Sequence, residues 1–407
     1  MKAKKILIIG LVWPEPTSSA AGTRMIQLVD LFLHKGYEIT FATAASKSDF
    51  SYDFSKIDVK EQEIKLNDES FNTFLKELNP AIVMFDRFMI EEQYGWRVKE
   101  ECPNAFLILD TEDLHFLRQA RQQSNKKQIP ADLFSDTAKR EIASILRCDL
   151  SLIISEVEMK ILQEQFNLDG SLLYYLPFLE EEITSEIIQK WIPFEEREGF
   201  VFIGNFIHEP NWNTVQYLKT IVWPALRKKL PKASLNIYGA YVVPKVLQLE
   251  HKSENFYVHG RAKNARQTLS QHRILIAPIQ FGAGMKGKFI DAMQVGTPSA
   301  TTSIGAEAMK GNLTWNGIIE DDLECFIDKT VRLYQDKTLW LNAQQNGVQI
   351  INERYLIKKF ADHFINHVEN LNLSSHRQKN FFGQILSHHN AQSTKYFSLW
   401  IEEKNKR

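Results

Sequence analysis

The residues best suited to chemistry lie in a glycine-rich turn that carries two lysines. A buried-strand pattern, Ile274–Pro278, leads to the turn GAGMKGK at residues 282–288, and helical periodicity follows over Lys286–Val295. Glycines let a backbone approach an anion closely, and the free N–H groups at a helix start point toward it. Lys286 and Lys288 add positive charge at the same place. This order of elements predicts a diphosphate cradle, with a tight loop carrying two solvated lysines as the alternative.

The elements that must position this turn alternate between strands and helices. In the first half, short apolar runs predict parallel strands buried on both faces, and Met25–Leu33 predicts a helix that stops at Gly36. This alternation predicts a doubly wound parallel sheet. Its predicted strands are Ile6–Ile9, Glu38–Ala42, Ala81–Phe85, Ala105–Leu109, Leu150–Ile154 and Leu172–Leu176.

The same alternation restarts after an acidic connector, Leu179–Glu198. A long helix is predicted over residues 211–229, and the lysine-bearing turn lies late in this half. We therefore expect an α/β chain of two Rossmann-like, doubly wound domains that face each other across a cleft. Ligands in open α/β sheets bind beyond the carboxyl ends of the strands, so the cleft is the predicted ligand site. The strands predicted here are Phe200–Ile203, Ser234–Tyr238, Phe256–Val258, Ile274–Pro278 and Ser299–Thr302.

Composition argues against several classes of protein. Lys+Arg 49 against Asp+Glu 50 gives a formal net charge of −1, so no nucleic-acid partner is expected. Cys102, Cys148 and Cys325 form no CxxC pair, which argues against a disulfide framework or zinc site and favours a reducing, cytoplasmic compartment. The N-terminal apolar run is short and meets Pro14 and Glu15 at once, unlike a signal peptide. No stretch reaches the roughly 18 apolar residues that cross a bilayer.

The segment after the turn resembles the retaining glycosyltransferases of the GT-B fold, in particular family four. Residues 291–298, DAMQVGTP, are similar to that family's EAMAxGxPVV, and the GAGMKGK form is similar to a variant branch with lysines in this loop. The family carries two glutamates eight positions apart, the first near the donor sugar and the second on the nucleotide ribose. Asp291 occupies the second position and Ala283 the first. The donor-loop residues implied by the resemblance are Gly282, Ala283, Gly284, Met285, Lys286, Lys288 and Asp291, with both lysines assigned to catalysis.

The start of the second domain supports the same resemblance. Residues 202–211, FIGNFIHEPN, are similar to FVGNFxHxPN of this branch. Better known members carry an arginine and a lysine there, so here the charge passes to the two loop lysines and to Arg261, which follows a strand end. A surface salt bridge is the alternative for Arg261. The further donor-binding residues implied are Gly204, Asn205, His208, Gly239 and Arg261.

Two loops of the first domain resemble the loops with which the family contacts the donor phosphates and the transferred sugar. In residues 13–24, WPEPTSSAAGTR, Gly22 gives close approach to the phosphates, and Arg24 is either an acceptor-side or phosphate contact or a helix-surface arginine. After the strand Ala105–Leu109, His115 matches the family's histidine that contacts the transferred sugar, and it is assigned to catalysis. The acceptor-side candidates are Arg24, Glu112 and Asp113, with Asp86 and Arg87 as weaker ones. This cluster could also suggest a metal site, but the resemblance implies none.

The C-terminal segment resembles the long helix with which GT-B chains cross back to their first domain. Residues 1–180 and 181–372 are then the two domains, and residues 373–407 the returning segment. Phe397, Leu399, Trp400 and Ile401 are expected to bury against the first domain. An amphipathic helix on a membrane is the alternative, although no dense basic face is evident.

The resemblance implies a retaining, metal-independent transfer of a sugar from a nucleotide diphosphate-sugar to a glycan or lipid-linked acceptor, in polysaccharide or glycolipid assembly. No cofactor is expected, and the enzyme would be cytoplasmic, with peripheral contact to the inner membrane left open. The alternatives are a nucleotide-sugar-binding module without turnover, favoured by Ala283, and a GT-B nucleotide-sugar epimerase. A nicotinamide dehydrogenase is disfavoured because the first loop lacks G-x-G-x-x-G.

Overall fold

A computed structural model describes residues 4–405, apart from the side chains of residues 389–392. In this part of the chain, thirteen strands form two parallel sheets, and the helices pack around them. The strands are β1 Lys5–Ile9, β2 Glu38–Thr43, β3 Val59–Glu63, β4 Ile82–Asp86, β5 Phe106–Asp110, β6 Leu150–Ile153, β7 Leu173–Tyr175, β8 Phe200–Asn205, β9 Leu235–Ala240, β10 Phe256–Gly260, β11 Ile274–Ala277, β12 Ser299–Thr301 and β13 Gly317–Ile319.

The helices fill the connections and the C-terminal quarter of the chain. Residues 218–222, between α8 and α9, are π-helical and join these two helices end to end. The helices are α1 Ala20–His34, α2 Ser70–Leu78, α3 Phe88–Glu101, α4 His115–Lys127, α5 Asp136–Arg147, α6 Glu156–Glu164, α7 Ser185–Ile188, α8 Glu209–Tyr217, α9 Trp223–Lys229, α10 Pro244–Leu247, α11 Ala265–Ser270, α12 Gly287–Gln294, α13 Ser303–Ala306, α14 Leu323–Gln335, α15 Lys337–Arg354, α16 Ile357–Asn370, α17 Leu373–Lys379 and α18 Phe381–Asn405.

Each sheet has the strand order of a doubly wound domain. The first runs β3-β2-β1-β4-β5-β6-β7 and the second β10-β9-β8-β11-β12-β13, and every pair within them is parallel. The order reverses beside β1 and beside β8, so each sheet has a switch point at the carboxyl ends of its central strands. This architecture confirms the predicted α/β fold with two doubly wound domains.

Sequence periodicity found the central strands and missed two edge strands. β1, β4 and β5 are buried almost throughout, as expected for strands covered on both faces. By contrast, β3 (VKEQE) is a mostly exposed edge strand, and β13 is only three residues long, so neither gives an apolar run.

The chain returns to the first domain earlier than residue 373. Glu180 forms an isolated parallel bridge with Leu356, and α16 follows at once. Phe364 of α16 is fully buried in the core of the first domain, with its ring centroid 5.8 Å from that of Phe32. The predicted crossing-back is therefore present, and it begins at α16.

The terminal helix α18 packs on α3 and α5 of the first domain, and of the four side chains predicted to be buried, Ile401 is half-buried while the other three are exposed. Phe397 is 63% exposed and Trp400 58% exposed, and Leu399 is also exposed, so their predicted burial is wrong. Ser398 and Glu402 face inward instead, where both contact the guanidinium of Arg97, itself 2% exposed. Within residues 4–405, no helix has the length and apolar composition needed to cross a membrane.

Glu402→Ala should lower the stability of the first domain by about 3 kcal/mol, because it leaves the buried Arg97 charge without its carboxylate. The neighbouring Glu403→Ala is the matched control, since Glu403 is exposed and should change stability by less than about 0.5 kcal/mol. Unfolding of both variants in urea measures the difference. Equal stability of the two variants would contradict the assigned role of Glu402.

Candidate functional site

A cleft of about 870 Å³ lies between the carboxyl ends of the two sheets. Most of the residues predicted from sequence line it, from both domains. They are Gly22, Glu112, Asp113, His115, Gly204, Asn205, His208, Gly239, Arg261, Gly282, Ala283, Met285, Lys286, Lys288 and Asp291, joined by Asp86 and Arg87.

The starts of two helices meet in this cleft. A Cβ placed on Gly287, the first residue of α12, would lie 2.8 Å from Cβ of Ala20, the first residue of α1. No side chain caps the start of α12. The start of α1 is capped by Ser19, whose hydroxyl accepts from Gly22 N at 3.1 Å. The positive ends of two helix dipoles therefore converge on one region of the cleft.

Lys288 is enclosed without a paired acid. Its ammonium donates to Asn211 Oδ1 at 2.7 Å and lies 4.1 Å from the ring centroid of Phe202. Among the described residues, no carboxylate stands within ion-pair distance of it. Burial lowers the pKa of Lys288 to about 7. This site therefore holds a cation that an incoming anion would stabilise.

Lys286 is enclosed like Lys288, but acidic side chains lie near it. Its ammonium donates to Gly284 O at 3.0 Å. Burial lowers the pKa of Lys286 to about 8, against the opposing influence of Glu307, Glu158 and Asp113. The two lysines and the two helix starts form a concentrated positive region on one wall of the cleft.

A glycine is required at position 22 because the backbone of Glu15 packs directly against it. A Cβ at this position would lie 2.4 Å from the carbonyl carbon and oxygen of Glu15. Its N–H is already donated to Ser19. Gly22 thus shapes the first loop, and its predicted contact with the donor phosphates stays a prediction.

Arg261 bridges the two domains. Its guanidinium donates to Thr17 O at 3.3 Å and to Ser18 Oγ at 2.6 Å, and it stacks 3.4 Å from the ring centroid of Phe50. Beside it, Tyr241 donates to Glu15 at 2.7 Å. These contacts hold the first loop against the second domain over one end of the cleft.

Asp291 has a cationic partner that the sequence did not reveal. Arg266 Nε donates to Asp291 Oδ1 at 2.8 Å, and its NH2 group donates to Glu180 Oε2 at 2.8 Å. Glu180 also lines the cleft. Arg266 therefore fixes one oxygen of Asp291 at the cleft wall. The sequence offered no local signal for this, because Glu180 lies in the connector, far from Arg266 along the chain.

His208 and the predicted glycines Gly204 and Gly239 also line the second domain's side of the cleft. Asn205 Oδ1 accepts from Ile207 N at 2.9 Å, which turns the chain into α8. Burial lowers the pKa of His208 to about 4, so its imidazole is neutral at pH 7. A Cβ on Gly239 would lie 2.2 Å from Gly204 O, so close packing of two strand ends requires this glycine.

The first-domain wall carries a strained acidic loop. Glu112 has φ 62°, and its Oε1 has no hydrogen-bond partner among the described residues. Burial, together with the carboxylates of Asp110 and Asp86, raises the pKa of Glu112 to about 8 against the opposing influence of nearby arginines. Strain and an unpartnered polar group at a cleft are typical of a functional position.

Asp113 and His115 lie beside Glu112 and contact each other. The Asp113 carboxylate accepts from Arg118 and stands 3.5 Å from His115 Nε2. Burial lowers the pKa of His115 to about 4, so this histidine is neutral at pH 7. A neutral imidazole can accept or donate a hydrogen bond to a sugar hydroxyl, depending on its tautomer.

Two buried glutamates that sequence reasoning missed hold this wall in place. Glu141 accepts from His115 N at 3.2 Å and Phe116 N at 3.1 Å, at the start of α4. Glu158 accepts from Leu114 N at 3.1 Å and, across the cleft, from Gly284 N at 2.8 Å. Glu158 therefore ties the lysine-bearing loop to the first domain.

Two predicted site residues have other roles. Arg24 does not line the cleft: it is 1% exposed and pairs with Asp110, with Nε 3.0 Å from Oδ1, so its predicted acceptor contact is wrong. Gly284 also lies outside the lining, with φ 60° and a would-be Cβ 2.7 Å from Cβ of Asp113. Its left-handed backbone docks the loop on the first domain. Its predicted contact with the donor stays a prediction.

Residues 4–405 contain no group of three or more His, Cys, Asp or Glu side chains arranged to hold a metal ion. The metal independence of the reaction stays a prediction.

Gly284→Ala should destabilise the docked loop by about 2 kcal/mol, because alanine is strained in the left-handed region and its Cβ meets Asp113. Gly282→Ala is the control, since the nearest atom to its Cβ would be 3.8 Å away. Thermal unfolding without ligand should separate the two variants by several degrees. Identical melting temperatures would show that the loop does not dock as described.

Comparisons with known proteins agree with this architecture. Residues 197–336, about a third of the chain, match the family model described as glycosyl transferases group 1. No curated protein sequence matches the chain.

Solved structures with the same fold have low sequence identity to this chain. An Anabaena HepE complex with UDP and glucose has a TM-score of 0.66 and 12% identity, covering 90% of this chain and 100% of that one. The pneumococcal O-GlcNAc transferase GtfA with UDP and GlcNAc has a TM-score of 0.66 and 14% identity, covering 91% and 99%. A Staphylococcus aureus TarM mutant with UDP and glycan ligands has a TM-score of 0.56 and 14% identity; it covers 73% of this chain, which spans 58% of that longer one. These likenesses show that the chain has the GT-B fold.

Proposed function

We propose that this protein transfers a sugar from a nucleotide diphosphate-sugar, held in the cleft, to an acceptor hydroxyl, with retention and without a divalent metal. The observation that carries the proposal is the enclosed positive region of Lys286, Lys288 and the two helix starts. A diphosphate is the ligand whose charge and size match two ammonium groups beside converging helix dipoles. The group 1 match over this same domain supports the donor class.

The nucleoside end of the donor lies toward Asp291. Arg266 occupies Asp291 Oδ1, which leaves Oδ2 for a ribose hydroxyl at the cleft wall. UDP is the nucleotide to test first, because the HepE and GtfA structures contain it.

The chemical step depends on stabilising the departing diphosphate. As the glycosidic bond to phosphate breaks, negative charge grows on the leaving oxygen, and Lys286 and Lys288 stabilise it from fixed positions. The acceptor hydroxyl attacks from the same face, and its proton passes to that leaving phosphate oxygen. The neutral His115 contacts the transferred sugar, while Glu112 and Asp113 hold the acceptor from the first domain.

The acceptor class in this proposal is a glycan or a lipid-linked sugar, and the pathway is polysaccharide or glycolipid assembly in the cytoplasm, beside the inner membrane. The TarM structure contains glycan ligands together with UDP, which supports a carbohydrate acceptor.

A binding module without turnover is the second candidate, and Ala283 favours it. This residue stands where the family has the glutamate near the donor sugar, and it packs against the apolar core of the first domain. Donor binding without transfer or hydrolysis would select this candidate.

Lys288→Ala should lower kcat by about a hundredfold or more, because it removes a preorganised charge from the leaving group. Lys286→Ala should lower kcat too, while Asp291→Asn should chiefly raise KM for the donor. The exposed Lys263→Ala, in the same domain, is the control and should keep the wild-type rate. Release of UDP from the donor, with and without acceptor, measures each rate. Wild-type rates in both loop variants would place the diphosphate elsewhere.

Binding of UDP should take up protons. In the free protein Lys288 has a pKa of about 7, and a bound diphosphate favours its charged form, so the complex holds more protons than the separate components. Affinity should therefore be greatest below pH 7 and fall roughly tenfold between pH 7 and pH 8.5. Calorimetry in two buffers of different ionisation enthalpy measures the uptake, and added chelator should change nothing. Binding that is independent of pH, or abolished by the chelator, would contradict this account.

A further inference from the structure

The helix α18 presents its apolar side chains outward. Among the described side chains of α18, seven large hydrophobic residues are exposed, and five of these are aromatic residues exposed by more than half. They are Phe382 at 75%, Tyr396 at 65%, Phe381 and Phe397 at 63%, Trp400 at 58%, Ile385 at 39% and Leu399 at 38%. We call these seven residues the outer face.

The two ends of the outer face point the same way. Phe381 and Leu399, like Phe382 and Trp400, are separated by 18 residues, or five helical turns. The helix runs unbroken over Phe381–Asn405. The outer face therefore consists of two apolar clusters, at residues 381–385 and 396–400, on the same side of the helix, with corresponding residues about 27 Å apart.

The inner face of the same helix is polar and binds the first domain. Arg97 donates to Ser398 Oγ at 3.2 Å and pairs with Glu402. Lys99 donates to Ser387 Oγ at 2.6 Å. The usual arrangement, with the apolar side against the protein, is reversed, so folding alone does not account for the outer face.

The net charge of the C-terminal segment indicates which partner covers the outer face. Residues 373–407 contain six lysines and arginines and two glutamates, whereas the whole chain has a formal net charge of −1. Three of these charges already have partners, because Arg377 pairs with Asp149, Lys395 with Glu100, and Glu402 with Arg97. The other charges of the segment are four lysines and arginines against one glutamate. A second copy of this chain would bring two basic segments together across a symmetric interface, which like-charge repulsion opposes. An anionic bilayer attracts the same charges, and Trp, Tyr and Phe prefer its interfacial region.

We propose that the outer face of α18 docks on an anionic lipid membrane. α18 packs on α3, whose first residues follow the cleft residues Asp86 and Arg87. Docking would hold the acceptor-side domain, and with it the cleft, close to the bilayer. The assignment of this domain to the acceptor rests on the proposed function; the docking itself does not.

Co-sedimentation with vesicles tests the proposal. Wild-type protein should bind vesicles of phosphatidylcholine with phosphatidylglycerol and should bind vesicles of phosphatidylcholine alone more weakly. The double variant Phe397→Ser, Trp400→Ser should lose about tenfold or more in vesicle affinity, since two exposed aromatic groups no longer insert. Leu247→Ser is the control, because Leu247 is 52% exposed on the second domain and should not affect binding.

UDP affinity and the melting temperature, measured on the same variants, separate this proposal from the proposed function. Both should be unchanged in the double variant, because its side chains contact neither the cleft nor the core. No vesicle binding by the wild type, or equal binding by the double variant, would overturn the docking whatever the cleft does. A wild-type dimer that the double variant dissociates would assign the face to a second copy and overturn it too.

Discussion

The enclosed charge of Lys288 is the constraint on which the cleft depends. Burial opposes its charged form, and no described carboxylate is close enough to offset that cost. The fold brings the starts of α1 and α12 to the same place, which adds positive potential instead of relieving it. This arrangement is unfavourable without a ligand, and an anion bound beside Lys288, such as the proposed diphosphate, would make it favourable. The cleft is in this sense preorganised for an anionic ligand, as the proposed transfer requires.

Closure of the domains depends on a few contacts between loops. Glu158 accepts from Gly284, Arg121 pairs with Glu307 at 2.7 Å, and Arg261 binds the first loop. All three join the lysine-bearing second domain to the first domain. Burial raises the pKa of Glu158 to about 7, so this carboxylate is close to protonation under ordinary conditions. These contacts between the domains are polar and individually modest, which suits a cleft that opens and closes.

The sequence predicted those features that local pattern encodes. Lys286 and Lys288 were found because strand, glycine turn, lysines and helix follow one another within a short stretch. Arg24 was misassigned because its partner Asp110 is distant in sequence, and a helix-surface arginine looks the same as a buried one. Glu158 and Arg266 were missed for the same reason. The outer face of α18 was assigned inward because hydrophobicity alone does not say which side of a helix the protein covers.

The crystal structure of the protein with UDP would test the central claim most directly. We expect the diphosphate to lie between Lys286, Lys288 and the start of α12, with a ribose hydroxyl on Asp291. No metal ion should bridge the phosphates. A diphosphate bound instead beside Arg87 on the first-domain wall, or one held through a divalent ion, would contradict the account.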